Sequence, residues 1–204
     1  MEELNFDIVV VGGGPAGSSA AHMAAKNGCT VALIEKEKEI AETVRTSGVT
    51  WISDINEFGI PKECYNPIKK FSFCSPKNYV TITDNVAKAA VLDVRKTYRF
   101  LATRSKSSGS ELFTGTNVSE VLKNSAGKCV GVVAKSQGKL IQFNAKVVID
   151  ASGFTSIVAK ELGYVTQWKK FGAGAEFEVK TEKLEYDNWW LMVGQEYSPA
   201  GYAW

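Results

Sequence analysis

Six consecutive residues, Gly12-Gly13-Gly14-Pro15-Ala16-Gly17, carry the densest chemical signal in this chain, and an acid, Glu35, answers them further on. Glycines at the first, third and sixth places of such a run match the spacing of a turn that receives a diphosphate. Gly12 permits a tight turn off a strand. Gly14 has no Cβ, so backbone N–H groups can approach an anion. Gly17 lets the following helix pack closely on the strand. A helix N-terminus adds unpaired N–H donors and the positive end of a dipole. Glu35 stands where a carboxylate accepts hydrogen bonds from both hydroxyls of a ribose. The chemistry is capture of a dinucleotide, and an acid at this place disfavours a 2′-phosphate. The fingerprint by itself leaves FAD and NAD open.

Such residues work only where regular elements hold them. The run 7–11, DIVVV, is β-branched without polar alternation, as in a strand buried on both faces of a parallel sheet. Residues 16–27 are mostly helix formers, with Gly28 placed as a C-terminal cap, and 29–35, CTVALIE, is a second buried strand. The unit is β-α-β. Within it His22 is expected at the surface of the helix, and Glu37 and Glu39 as solvated charges.

Composition narrows the classes. The chain has 204 residues, 45% hydrophobic and 23% charged, a globular balance. Lys and Arg number 24 against 22 for Asp and Glu, a net charge of +2 without a basic run, so no nucleic-acid partner is expected. Four scattered cysteines and a single histidine predict neither a disulfide framework nor a metal site. Free thiols suit a reducing cytoplasm. The acidic start MEELNFD does not read as a signal peptide, and no apolar stretch reaches the roughly 18–20 residues that span a bilayer.

Two later stretches extend the pattern. Residues 91–121 read as a helix carrying Arg95, Tyr98, Leu101 and Ala102, closed by Gly109 and followed by a strand and a turn. Residues 128–156 read as an antiparallel meander with turns at Gly127 and Gln137-Gly138, returning to a buried strand at 146–150. A βαβ start, a meander and a strand ending in Asp150-Ala151-Ser152-Gly153 together resemble the glutathione-reductase-like FAD-binding fold. More closely, the chain resembles the geranylgeranyl reductase branch of the flavoproteins related to para-hydroxybenzoate hydroxylase. The motifs that carry this resemblance are GGGPAG with Glu35, LDVRKTYRFLA, VVIDASGFTSIVAKELG and the terminal SPAGYAW. The last is similar to the start of that family's P-x-G-Y-x-W-x-F-P signature, which lines the substrate cavity.

The resemblance implies FAD as cofactor, held by Gly12, Gly14, Pro15, Ala16, Gly17, Glu35 and Lys36. It implies Arg45 and Arg95 near the flavin with Ser47 and Gly48, a backbone contact to adenine at Val118, and a second FAD contact at Ala151, Ser152 and Gly153. Trp190, Tyr202 and Trp204 are the implied substrate residues. Ser47 and Tyr202 are candidates, on placement alone, for a catalytic proton donor. Two departures stand out. Many members have Cys-Gly where this chain has Ser47-Gly48, and the hydroxylases have Asp-Gly where it has Ser152-Gly153. Cys64 and Cys74 are expected to be inert.

The expected architecture is α/β, a Rossmann-type βαβ with an antiparallel meander plus the beginning of an antiparallel-sheet substrate domain. The FAD-binding domain is expected at 1–166, interrupted by a hairpin at 69–91 with its turn at Ser75-Pro76-Lys77-Asn78. The first part of the substrate domain is expected at 167–204, with strands at 171–179 and 188–194. Family members are about twice this length, so the chain is expected to be an N-terminal half. The implied activity is reduction of carbon–carbon double bonds of a geranylgeranyl lipid by hydride transfer from reduced flavin, in lipid biosynthesis. The implied reductant is NAD(P)H or ferredoxin. The implied location is cytoplasmic, with peripheral contact at the inner face of the membrane compatible with a lipid substrate. The competing readings are a flavin monooxygenase or halogenase acting on an aromatic substrate, and a non-catalytic dinucleotide-binding fragment.

Overall fold

The β-branched run near the start of the chain lies in strand β1 (Glu2–Val11) of a computed structural model that describes residues 1–164, 169–177 and 179–204. It is followed by α1 (Pro15–Lys26), β2 (Val31–Ile34), β3 (Val49–Trp51) and α2 (Ile52–Glu57). Next come β4 (Tyr65–Ile68), β5 (Lys70–Cys74), β6 (Tyr79–Thr83), β7 (Ala89–Leu92) and α3 (Val94–Ser107). Four strands continue the chain: β8 (Glu111–Phe113), β9 (Thr116–Lys123), β10 (Cys129–Ser136) and β11 (Lys139–Asp150). After them come α4 (Ile157–Glu161), β12 (Asn188–Val193) and β13 (Tyr202–Ala203). These elements form two compact units, Met1–Val44 with Tyr98–Ala173, and Arg45–Thr97 with Gly174–Trp204.

The first unit is a six-stranded sheet of order β8-β2-β1-β11-β10-β9. β8, β2, β1 and β11 run parallel, while β10 pairs antiparallel with both β11 and β9. Residues of β1 alternate between two cores. Val9 and Val11 join Ala32, Ile34, Val132, Ala134 and Phe143 on one face. Val10 joins Val31 and Leu33 beneath Ala21 and Ala25 of α1 on the other. That two-sided burial explains the unbroken apolar run, each fully buried Val or Leu contributing about 1.5–3 kcal/mol. Phe6, Phe113 and Phe143 close the first core, the last two edge-to-face at 5.0 Å. The outer strand β9 is held by Glu161 of α4, whose two carboxylate oxygens accept the Val121 N–H at 3.0 and 3.1 Å.

The return strand expected at 146–150 is the second half of one long strand. β11 pairs with β10 from Lys139 to Asn144 and with β1 from Ile141 to Asp150. No Gly or Pro interrupts it, so both neighbours template a single element. It is also less buried than expected, with Val147 52% exposed.

Asp7 ties β1 to both neighbours of the sheet. Its carboxylate takes Lys146 Nζ at 2.7 Å and the Thr30 N–H and hydroxyl at 2.9 Å each. The Lys146 hydrogen bond, followed by those from Thr30, holds this carboxyl down at about 2 against an ordinary 3.8. A lowered folded-state value means that the stabilisation is complete above the unfolded value and is lost as pH falls through the folded one. Between about pH 4 and 2 the native chain should therefore lose stability, and Asp7→Asn should flatten that part of the curve. Urea midpoints measured across this range for both proteins check it. Parallel slopes would exclude the role.

His22 is not the surface residue expected. It is half-buried, and its Nδ1 lies 2.8 Å from Ser108 Oγ just beyond α3. The Ser108 hydroxyl also donates to the Arg104 carbonyl at 3.1 Å. Burial, then the charges of Arg104 and Lys26, pushes the imidazole below its usual value.

The second unit contains a three-stranded sheet, β3-β7-β4, and a four-stranded sheet, β13-β12-β5-β6. β5 and β6 form the expected hairpin, its turn closed by Ser75 N–H to Asn78 O at 2.7 Å. Ser72, buried in this sheet, shares a hydrogen bond with Thr81 across the hairpin (2.8 Å) and donates to Asn188 of β12 (3.0 Å). The strand expected at 171–179 does not form among the described residues of that stretch. Phe171 and Phe177 are 75% and 86% exposed there, and an alternating run with no neighbour to pair with gains nothing from extension. Cys64 is buried, which raises its thiol, and all four cysteines are free.

Candidate cofactor site

The glycine turn forms where β1 and β11 part. The parallel register ends at Val11 opposite Asp150, and Ala151 N–H donates to Val11 O at 2.9 Å. From that pair one chain turns into α1 and the other into the Ala151-Ser152-Gly153 corner. β1 has β2 on one side and β11 on the other, so this is the place in the sheet where strand order reverses. Open α/β sheets bind their ligands at the carboxyl ends of strands at such a point.

Each glycine meets a different constraint. A Cβ on Gly12 would lie 2.3 Å from Ala151 O, and φ is +110°. A Cβ on Gly17 would lie 1.8 Å from Gly12 O, so the helix touches the turn backbone to backbone. A Cβ on Gly14 would meet nothing within 4 Å. The space in front of Gly14 is open, as an incoming anion requires. Gly14 is the N-cap of α1, no side chain caps the helix, and its first turn holds no acid. The helical ladder begins with Ser18 N–H to Gly14 O at 2.9 Å, so the Ala16 and Gly17 N–H groups precede it.

Glu35 follows β2 and does more than the sequence suggests. Its Oε2 accepts the Gly13 N–H at 2.7 Å and its Oε1 the Glu37 N–H at 2.9 Å. Of the roughly four lone-pair sites of a carboxylate, about two are left for ribose hydroxyls. Glu35 therefore shapes the glycine turn and keeps acceptor capacity to spare. Its neighbours are not simply solvated: Glu37 accepts the Thr43 N–H at 3.1 Å and Glu39 pairs with Arg99. Thr116 N–H donates to the Glu35 carbonyl at 2.9 Å, which brings the start of β9 to this site. Val118 on β9 has a buried side chain, so the main chain is what it can offer a ligand. Pro15, Ala16 and Lys36 are exposed around the turn. This donor-rich, acid-flanked cradle fits the diphosphate and ribose of a dinucleotide.

The corner opposite is built by Asp150, which stands in the motif but was given no role from the sequence. Asp150 Oδ1 accepts the Ser152 N–H at 3.1 Å and the Ser152 hydroxyl at 2.5 Å, and Oδ2 accepts the Ala159 N–H at 2.8 Å. Burial opposes the charge, but hydrogen bonds from Ser152, Ala159 and Val158 outweigh it and hold the carboxyl below its ordinary value. The available signal was an acid ending an apolar strand, directly before small residues.

Arg45, Ser47, Gly48 and Arg95 belong to the second unit. Gly48 is buried at a φ of +74° and its carbonyl accepts the Leu92 N–H at 2.9 Å; Ser47 beside it is half-buried. Arg45 is exposed, and so is Arg95 near the start of α3. Tyr202 and Trp204 stand together, ring centroids 5.7 Å apart. Register separates them from Trp190: Tyr202 pairs with Val193 and shares the sheet face of Trp189 and Phe71, whereas Trp190 pairs with Ser72 on the other face.

A parallel sheet with a glycine cradle at its first turn, an acid after its second strand and a meander sharing the sheet defines a flavin-type dinucleotide-binding fold. The chain belongs to the FAD-dependent oxidoreductase family, whose model matches residues 7–179. FAD is the cofactor of that family. The chain is 34% identical to the digeranylgeranylglycerophospholipid reductase of Methanocaldococcus jannaschii over 213 aligned positions, covering 100% of this chain and 54% of that protein. Among solved structures, it superposes on a geranylgeranyl bacteriochlorophyll reductase-like protein of Thermoplasma acidophilum. The TM-score is 0.81 at 25% identity, covering 98% of this chain and 53% of that one. A flavin-dependent brominase shares the fold, with a TM-score of 0.64 at 24% identity over 79% of this chain and 41% of that one. The chain spans about half the length of the curated relatives it matches.

Proposed function

We propose that this chain serves an FAD-dependent reductase that saturates carbon–carbon double bonds in the isoprenoid chains of a lipid. The supporting observation is where the similarity runs. The match to the digeranylgeranylglycerophospholipid reductase extends through all of this chain, second unit included, whereas the brominase match stops at 79%.

Bound FAD, once reduced, supplies the electrons for such a reaction. The chain's own residues bind and orient. The Ala16 and Gly17 N–H groups and the helix dipole hold the diphosphate, and Glu35 takes the ribose hydroxyls. Backbone at Val118 is assigned to the adenine, and Ala151 and Gly153 to the second cofactor contact. Arg45, Ser47, Gly48, Arg95 and Lys36 are assigned to the cofactor by family resemblance. On the second unit's four-stranded sheet, the face bearing Phe71, Trp189 and Tyr202 is apolar and suits a prenyl chain; Trp204 stands beside Tyr202, and Trp190 serves from the other face. Hydroxyls able to release a proton to the second alkene carbon are those of Tyr202 and Ser47. NAD(P)H or ferredoxin is the proposed reductant. Among the described residues no helix is long and apolar enough to cross a membrane. Peripheral contact with the inner face of a membrane is proposed from the lipid character of the substrate.

The test uses the chain loaded with FAD, reduced without oxygen and mixed with a geranylgeranyl lipid. Flavin reoxidation should accompany a mass gain of two hydrogens per double bond. Unchanged lipid and persistently reduced flavin would overturn the proposal. Product formed only in air, carrying a new hydroxyl or halogen on an aromatic substrate, would favour the monooxygenase or halogenase reading. Absence of flavin uptake would leave a non-catalytic module.

A further inference from the structure

We propose that Asp150 is the positioning residue of the FAD cradle, fixing its second wall against the glycine turn. The inference rests on the reading of the first unit as the FAD site and gives a role to Asp150, which stands in the corner motif but was assigned no contact there.

The wall cannot place itself. After Asp150 the chain leaves the sheet with Gly153 at a φ of +66° and Ser156 at +43°, a path that only local bonds can hold. Asp150 supplies them at three points. It ties the strand end to the corner through the Ser152 N–H and hydroxyl, and to the first turn of α4 through the Ala159 N–H. Ser152 Oγ completes the frame by accepting the Ile157 N–H at 2.9 Å.

Two consequences follow for the cofactor. The Ser152 hydroxyl is committed in both directions, donating to Asp150 and accepting from Ile157, so it is not free to donate to a ligand. What the corner offers is main chain at Ala151 and Gly153, and a Cβ on Gly153 would meet nothing within 4 Å. Because Ala151 O stands 2.3 Å from the place a Gly12 Cβ would take, any drift of the corner is transmitted to the glycine turn by contact. Where hydroxylase relatives carry Asp-Gly at the corner, this chain has Ser152-Gly153 with the acid two residues earlier. The carboxylate thus acts from beneath the corner rather than upon it.

The experiment compares the full chain with Asp150→Asn, Ser152→Ala and Asp7→Asn. Asp150→Asn puts an amide N–H₂ where donors converge. Asp7→Asn weakens the ties to Lys146 and Thr30, away from the carboxyl ends of the same strands, and serves as a destabilised control. Amide hydrogen exchange without cofactor should rise at least tenfold at Ser152 and Ala159 in Asp150→Asn, with a smaller rise through Gly12–Gly14. The β9–β10 pairing should be unaffected. Flavin-fluorescence titration should give at least a tenfold weaker FAD affinity for Asp150→Asn, under threefold for Ser152→Ala, and no change for Asp7→Asn. Wild-type exchange at Ser152 and Ala159, or Asp7→Asn losing as much FAD affinity as Asp150→Asn, would overturn the proposal. Should the wild-type chain take up no FAD, the cofactor reading fails for this chain, while the exchange arm still decides whether Asp150 sets the wall.

Discussion

Replacing Glu35 with alanine is expected to weaken FAD binding at least tenfold and also to lower the melting temperature of the cofactor-free chain. The first effect comes from the ribose. Two charge-assisted hydrogen bonds at a part-buried site are worth roughly 1.5–3 kcal/mol each, and about 1.4 kcal/mol is one decade in affinity. The second effect comes from the fold. Gly13 N–H and Glu37 N–H both donate to this carboxylate, at 2.7 and 2.9 Å, and Gly13 is buried. Orphaning a buried donor costs about 1–3 kcal/mol. From the sequence, a carboxylate ending a strand should leave apo stability almost unchanged; the structure reverses that expectation. Lys38→Ala is the control, because Lys38 is exposed and its N–H, bonded to Glu42 at 3.0 Å, survives the change. Flavin-fluorescence titration and thermal unfolding of the apo-chain measure the two effects. Glu35→Ala matching Lys38→Ala in both would remove Glu35 from the site and from the turn.

The glycines should divide into two behaviours. Ala at a helical glycine ordinarily gains about 1 kcal/mol from propensity. At Gly17 the new Cβ would sit 1.8 Å from the Gly12 carbonyl oxygen, so the backbone has to move apart. At Gly12 a contact of 2.3 Å to Ala151 O is compounded by the φ of +110°. Overpacking and backbone strain each cost about 1–3 kcal/mol, so Gly12→Ala should lose about 3 kcal/mol or more. Gly17→Ala should also be a net loss, since its clash exceeds the propensity gain. Gly14→Ala is different. Its φ of −69° suits alanine and its Cβ would meet no protein atom within 4 Å. The apo-chain should unfold within about 1 kcal/mol of wild type, yet FAD affinity should fall at least tenfold, because the methyl enters the space an anion needs. Urea unfolding and FAD titration of the three variants separate fold from ligand. A Gly14→Ala chain that binds FAD normally would show that the diphosphate does not lie there.

Much of this molecule was legible in its sequence because the relevant chemistry is local. Gly12, Gly14 and Gly17 declare themselves by spacing, since a turn, an open approach and a helix contact each forbid or do not need a Cβ. The unbroken apolar run of β1 announces a two-faced core, and the turns at Gly127 and Gln137-Gly138 announce a meander. Fold class follows from those features. FAD and the family came with the resemblance carried by GGGPAG with Glu35, LDVRKTYRFLA, VVIDASGFTSIVAKELG and SPAGYAW, and with the family match over residues 7–179. What tertiary structure decided depends on residues far apart in the chain. Glu35 became a structural acceptor only when folding brought it to Gly13. Asp150 became the support of the corner only when α4 folded back over it. Register alone placed Trp190 and Tyr202 on opposite faces of one sheet, because a one-residue step in a strand reverses a side chain's direction and no composition records which step is taken. The stretch 171–179 alternates as a strand does, but alternation states which face could be buried, whereas pairing requires a neighbour, and a neighbour is supplied only in three dimensions.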